Sequence, residues 1–210
     1  MNKPVIDFYF DFISPYSYLA LIRLQQISQQ HDGDVSGADV NYSDVSHVEV
    51  NYLPVNLPKL IAWSGNTPPT SIKNKAKYSL RDLKRWAAYM DVPFKMILPG
   101  SFDSRPAMRV ALALQGDDRM RYVQAVFESI WSAAVDPRRA EWLEQVFLLH
   151  HLPPVWLTQS DDSLDALTQQ ALDAGAFGVP SFFLKQAKGR AQMFFGLDHM
   201  DFLERALTRA

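Results

Sequence analysis

The sequence has no cysteine among its 210 residues. That single absence excludes disulfides, thiolate nucleophiles, cysteine-ligated zinc and iron–sulfur clusters together. Any thiol chemistry must therefore use a thiol carried by a ligand. Long apolar runs are missing too; each is broken by charge well short of the ~18 residues that a membrane span needs. No dinucleotide-binding Gly-x-Gly-x-x-Gly, phosphate-binding loop, zinc-binding His-Glu-x-x-His or Gly-x-Ser-x-Gly nucleophile elbow occurs. His150 and His151 are adjacent and would point apart on a helix. Asp32, Asp34 and Ser36 open like a calcium loop, but Ser43 stands where the closing Glu belongs. No metal site is expected. Internal repeats and low-complexity tracts are absent. The first residues meet Asp7 too early to form the apolar core of a secretion signal, so a cytoplasmic chain is expected.

What is present is ordinary in bulk. Hydrophobic residues make up 48% and charged residues 21%, a composition that excludes disordered and fibrous classes. The length fits one domain, or one domain carrying a large insertion. A net charge of −2 argues against nucleic acid as a partner. The charge is uneven, however. Residues 59–95 hold six Lys and two Arg against Asp82 and Asp91, a net +6 that leaves −8 for the rest. A solvated face and an anion-binding edge for a small acidic ligand both fit such a run.

Residues 4–11 are short, aromatic and strand-like. Ser14-Pro15 follows, an N-cap residue and the residue favoured at the first helical position, so a helix should run from there to about Gln30. Residues 31–47 lack periodicity and are long for a connection. A second strand is expected over 48–53, completing a parallel βαβ unit. The stretch 79–174 reads as almost wholly helical, with helices over 79–90, 105–115, 118–134, 138–150 and 163–174. Ser79 with Asp82 resembles a capping box, and Pro93, Pro99, Pro137, Pro153 and Pro154 punctuate the block. Strands follow over 181–185 and 192–195 around a turn at Lys188-Gly189. A last helix over 198–207 has Asp198 as its expected N-cap. The fold class is α/β, a βαβ…ββα sheet domain with a large all-helical insertion. Residues 1–78 and 175–210 would form the sheet domain and 79–174 the inserted helical subdomain. A cleft between them is the natural ligand site. Trp63, Trp86, Tyr89 and Trp131 fall in or near the helical wall, where they either line an aromatic pocket or pack in the core, the default for aromatics.

Four short segments could carry chemistry. Ser14, at a strand-to-helix turn, places a hydroxyl beside unpaired helix N–H groups, where an anion such as a thiolate is stabilised; a bare N-cap is the alternative. Gly178-Val179-Pro180-Ser181 leads into a strand. An edge proline is the plain reading, and a cis-proline that turns the Val179 backbone toward a peptide-like ligand is the sharper one. Asn66, in Gly65-Asn66-Thr67-Pro68-Pro69, offers donors and acceptors, and Lys73, Lys75 and Lys77 follow it. Asp198, in Phe195-Gly196-Leu197-Asp198-His199, is either structural or a contact for a ligand ammonium group.

Taken together, segments 10–18, 65–69, 75–78, 175–180 and 195–203 resemble the 2-hydroxychromene-2-carboxylate isomerases and kappa-class glutathione transferases. That family has a thioredoxin-like fold related to the periplasmic disulfide oxidoreductases. Ser-Pro-Tyr-Ser at 14–17 looks like a Cys-x-x-Cys site with both cysteines replaced. The resemblance implies glutathione as cofactor and Ser14 as the catalytic contact to its sulfur. It implies glutathione binding by Asn66, by Lys75 (or Lys77 if the alignment slips), by the Val179 backbone beside cis-Pro180, and by Leu197 and Asp198 at the γ-glutamyl end. Leu197 stands where kappa-class enzymes have serine, which removes a side-chain donor but leaves the backbone N–H. The 31–47 stretch is longer than the family's usual connection; it either borders the active site or is an inert surface insertion, and the inert reading is preferred. The implied function is glutathione-dependent isomerisation of an aromatic or conjugated substrate, with conjugating transfer second and a non-catalytic binder third. A homodimer and a small aromatic substrate are the implied partners. Disulfide exchange by the protein itself is excluded, because it needs a protein thiol.

Overall fold

Alternation along the first strand sets the layers. In β1 (Val5–Phe10), Ile6, Phe8 and Phe10 share one face and Tyr9 takes the other. The computed structural model describes residues 3–30, 48–96, 102–152, 160–185 and 189–208. The expected insertion at 31–47, together with Pro99, Pro153, Pro154 and Lys188, lies outside them. α1 (Pro15–Gln30) leads to β2 (Glu49–Pro54), which pairs parallel with β1. The helices α2 (Leu57–Trp63), α3 (Lys73–Tyr89), α4 (Arg105–Ala113), α5 (Gly116–Trp131), α6 (Trp142–Leu149) and α7 (Asp161–Ala174) follow. The chain then returns as β3 (Ser181–Lys185), antiparallel to β1, and β4 (Gln192–Phe195), before α8 (Met200–Leu207). The sheet order is β2-β1-β3-β4. The expected βαβ unit, helical block and ββα unit are therefore all present.

Helices cover both faces of this sheet. The Ile6, Phe8 and Phe10 face joins Phe182, Leu184 and Phe194 to buried residues of α1, α4, α5 and α8. Phe8 stacks on its cross-strand partner Phe182 with ring centres 5.0 Å apart. The opposite face is smaller: Tyr9 and Phe183 pack with Val55, Leu60 and Ala171. One continuous core thus runs from the sheet into the helical block. Trp131, at the end of α5, is fully buried and stacks on Phe94. Its indole N–H donates to the Phe12 carbonyl at 2.9 Å, fixing the loop between β1 and α1.

Several sequence expectations need correction. α2 was not anticipated, although Asn56 caps it by accepting from the Lys59 N–H and Pro58 sits in its first turn. α3 begins at Lys73, so Ser79 and Asp82 lie inside a helix and form no capping box. α6 starts at Trp142 because Asp136 holds Arg138 in a turn through both its backbone N–H and its guanidinium. The final helix is preceded by a 3-10 turn, Leu197–His199, and Asp198 makes no capping hydrogen bond. Trp63 and Tyr89 are not core: they are 43% and 83% exposed. Among the described residues no helix is long and apolar enough to cross a membrane, and no cluster of His, Asp or Glu is placed to hold a metal.

The Trp131 bond generates a test. Trp131→Phe keeps a ring against Phe94 but leaves the buried Phe12 carbonyl without its donor. Unfolding free energy should fall by about 1–3 kcal/mol, read as a lower urea midpoint at unchanged slope. An unmoved midpoint would show that the carbonyl finds another donor.

Candidate active site

The turn that leaves β1 is organised by Asp11, a residue that is 1% exposed. One of its carboxylate oxygens accepts from the Ile13 N–H at 3.0 Å and from the Ser104 hydroxyl at 2.7 Å. The other accepts from the Leu57 N–H, at the start of α2, at 2.9 Å. Burial pushes the Asp11 carboxyl above its ordinary value, and the three donors pull in the opposite direction. The Asp11 carbonyl also accepts from the Ser14 N–H at 3.0 Å. Ser14 is thereby delivered to the start of α1.

Ser14 is the N-cap of α1: its hydroxyl oxygen accepts from the Ser17 N–H at 3.2 Å. Among the described residues its proton has no acceptor. The group therefore holds its place through its oxygen and keeps its O–H free to donate, at the positive end of a 16-residue helix. The cap reading and the anion-binding reading are compatible. Ser17, one turn inside α1, is fully buried and its hydroxyl has no partner among the described residues.

Hydrogen bonds join the other expected pieces. Gly65, at φ 71°, reverses the chain after α2 and presents Asn66. The Asn66 amide donates to the Phe177 carbonyl at 3.1 Å, while its oxygen accepts from the Thr67 N–H at 2.8 Å. This ties the turn after α2 to the segment before Val179. The Val179–Pro180 bond is cis. The register of Tyr9 with Ser181 sets Val179 and Pro180 beside the chain as it leaves β1 for Ser14. The Val179 N–H and C=O make no hydrogen bond among the described residues. The Pro180 carbonyl accepts from the Gly196 N–H at 2.9 Å, which brings in the third piece. Leu197 turns its side chain into the core, at 3% exposure, and its backbone N–H has no partner among the described residues. Asp198 projects outward, with His199 Nδ1 3.3 Å from its carboxylate. The φ of Gly196 is 87°, a conformation that favours glycine.

Lys75 sits in the first turn of α3, exposed. It lies seven residues before Asp82, so helical geometry puts both on one face, whereas Lys77 points well away. Lys59, from the same basic segment, is committed elsewhere: it pairs with Asp165 and lies over the Trp63 ring.

A second polar constellation is present but does not qualify. Ser129 Oγ lies 3.0 Å from His150 Nε2, and His150 Nδ1 lies 3.9 Å from Glu128. The line resembles a nucleophile, base and acid, yet Ser129 is wholly buried and anchors α6 to α5. The groove beside it, about 530 Å³ and lined by Tyr18, Ile22, Glu128 and His150, contains none of the expected site residues.

Sequence reading missed Asp11 as the organiser and Phe177 as the partner of Asn66. The first was visible only as an acid directly after a buried strand; the second had no local signal.

A mixed sheet whose first helix starts beside a cis-proline, with helices inserted between its two halves, defines a thioredoxin-type scaffold. The family model described as a DSBA-like thioredoxin domain matches residues 5–208. A 2-hydroxychromene-2-carboxylate isomerase from Sphingobium xenophagum is 31% identical over 208 residues, 95% of each chain. Glutathione S-transferase kappa 1 from Caenorhabditis elegans is 28% identical over 210 residues, covering 93% of this chain and 87% of that one. A solved 2-hydroxychromene-2-carboxylate isomerase structure superposes with a TM-score of 0.76 at 25% identity, covering 98% of this chain and 95% of that one. The chain belongs to the DSBA-like thioredoxin family. Its curated relatives are isomerases and a glutathione transferase, and it is an enzyme of that kind.

Asp11 carries the prediction from this site. Its folded-state pKa is raised, so the folded chain keeps this proton above pH 3.8, where the unfolded chain has lost it. The Asp11 contribution to stability therefore declines as pH rises from that value through the folded one, and is level above it. Asp11→Asn cannot ionise. In urea titrations between about pH 3.5 and about pH 7, the stability difference should move in favour of the variant as pH rises. A difference constant with pH would show that the three donors fully offset the burial.

Proposed function

We propose that this enzyme is a glutathione-dependent isomerase that acts on an aromatic or conjugated substrate such as 2-hydroxychromene-2-carboxylate. The observation that carries the reading is Ser14: an N-cap hydroxyl whose oxygen is engaged and whose proton is free. The fit to glutathione rests on the donor set around it. The unpaired Val179 N–H and C=O suit a cysteinyl backbone added as a short strand. The unpaired Leu197 N–H and the exposed Asp198 carboxylate suit the γ-glutamyl end, and the Lys75 ammonium suits a carboxylate.

When bound, glutathione supplies a thiolate nucleophile that adds to a conjugated carbon and is released unchanged. The chain's own residues prepare that chemistry. Ser14 donates its hydroxyl proton to sulfur without transferring it, and favours the ionised thiol. The α1 N-terminus adds its dipole in the same direction. Asp11 and Trp131 hold the loop that fixes Ser14, and Asn66 holds the Phe177 carbonyl beside the Val179 strand. Conjugating transfer is the second reading, favoured by the kappa-class relative.

The test is ultraviolet difference absorbance of the protein titrated with glutathione near neutral pH, with Ser14→Ala beside it. The native protein should show a thiolate band. Removing one charge-assisted hydrogen bond should raise the bound thiol pKa by about 1–2 units and lower kcat/KM about 10- to 100-fold. Binding without a band would favour an inert binder over an enzyme that activates the thiol.

A further inference from the structure

Tyr16 stands two residues after Ser14, in the first turn of α1. Its phenol does not face open solvent. It donates to the Asp82 carboxylate on α3 at 3.0 Å. Burial and the Asp82 charge push Tyr16 well above the ordinary phenol value, so it remains a protonated donor across the physiological range.

The helix it grips is weakly held. α3 has 17 residues, yet only Leu83 and Ala87 are buried. None of residues 73–82 is buried. Among the described residues, the Tyr16–Asp82 bond is the one side-chain hydrogen bond that ties residues 73–82 to the rest of the molecule, and no ion pair adds to it. Lys75, Ser79 and Asp82 follow at i, i+4 and i+7, one stripe of the helix. The stripe that meets Tyr16 is therefore the stripe that carries Lys75.

We propose that Tyr16 is a positioning residue: by donating to Asp82 it fixes the first half of α3 against the start of α1, and so holds Lys75 on the side of α3 that faces Ser14, as the contact for a ligand carboxylate. The proposal rests on the glutathione reading above. Tyr16 acts through Lys75, since its own proton is already committed to Asp82. The basic stretch then has a directed edge within it, facing the site, while Lys77 faces away.

The test compares Tyr16→Phe, Asp82→Asn and their double variant with the native protein. Binding is titrated with glutathione and with its diethyl ester, which lacks both carboxylates. Each single variant should raise the glutathione Kd about three- to tenfold, and the double variant should lose no more than either alone. The ester Kd should change less than about twofold, and the bound thiolate pKa should not move. In a Lys75→Met background, Tyr16→Phe should add nothing. Backbone amides of residues 76–82 should exchange faster in both single variants. Equal losses for glutathione and its ester, or a Tyr16→Phe effect that survives Lys75→Met, would overturn the proposal. Native protein that binds neither ligand would sink the glutathione reading itself. Unchanged amide exchange in α3 would separately overturn the latch.

Discussion

The arrangement depends on one buried carboxylate. Asp11 lies where the loop between β1 and α1, the start of α2 and the approach to α4 converge, and each sends it one donor. A buried charge is expensive, and one left unpaired would not be tolerated. The three donors offset part of that cost, and in doing so they fix three segments that are distant in sequence about a single point. The turn that presents Ser14 is one of them. The active hydroxyl is thus placed by the joint between the sheet and the inserted helices. The indole of Trp131 reinforces the joint from the helical side, one residue further along the same loop.

The sheet was legible because alternation in a buried strand leaves few choices. Both C-terminal strands have the bounds read from their apolar runs, and α1 starts where Ser14-Pro15 marks it. The start of α3 was not legible. α3 begins behind Ile72, which cannot cap, and its first residues are polar with no apolar period. Asp82 was read as half of a capping box because its actual partner, Tyr16, is 66 residues away. The final turn failed similarly: Asp198 has capping chemistry, but the positive φ of Gly196 sends the chain into a 3-10 turn first. In the site, Ser14 and cis-Pro180 were visible through their motifs. The bonds that bring Asn66 to Phe177 and Pro180 to Gly196 are tertiary and have no local signature.

Charge shows the same division between local and tertiary information. The net +6 over residues 59–95 is a fact of sequence, but the fold distributes it. Lys59 is neutralised by Asp165 on the far side of the sheet. The cations of α3 stay exposed around a helix with almost no buried face. A linear count of charge therefore overstates the edge available to an anion, which narrows to the stripe that α1 holds in place.

The sheet topology has a consequence for synthesis of the chain. β1 is an inner strand, yet its second neighbour is β3, and Phe8 pairs with Phe182, 174 residues later. Until that partner emerges, Phe8 and Phe10 have only half their sheet, with an unpaired backbone edge beside them. The helices between can form early from local contacts, but they cannot close the layer beneath them. A ribosome-bound chain stalled before residue 181 would present an open aromatic strand to its surroundings. Chaperone capture during translation should therefore centre on the first strand, and release should coincide with the arrival of β3.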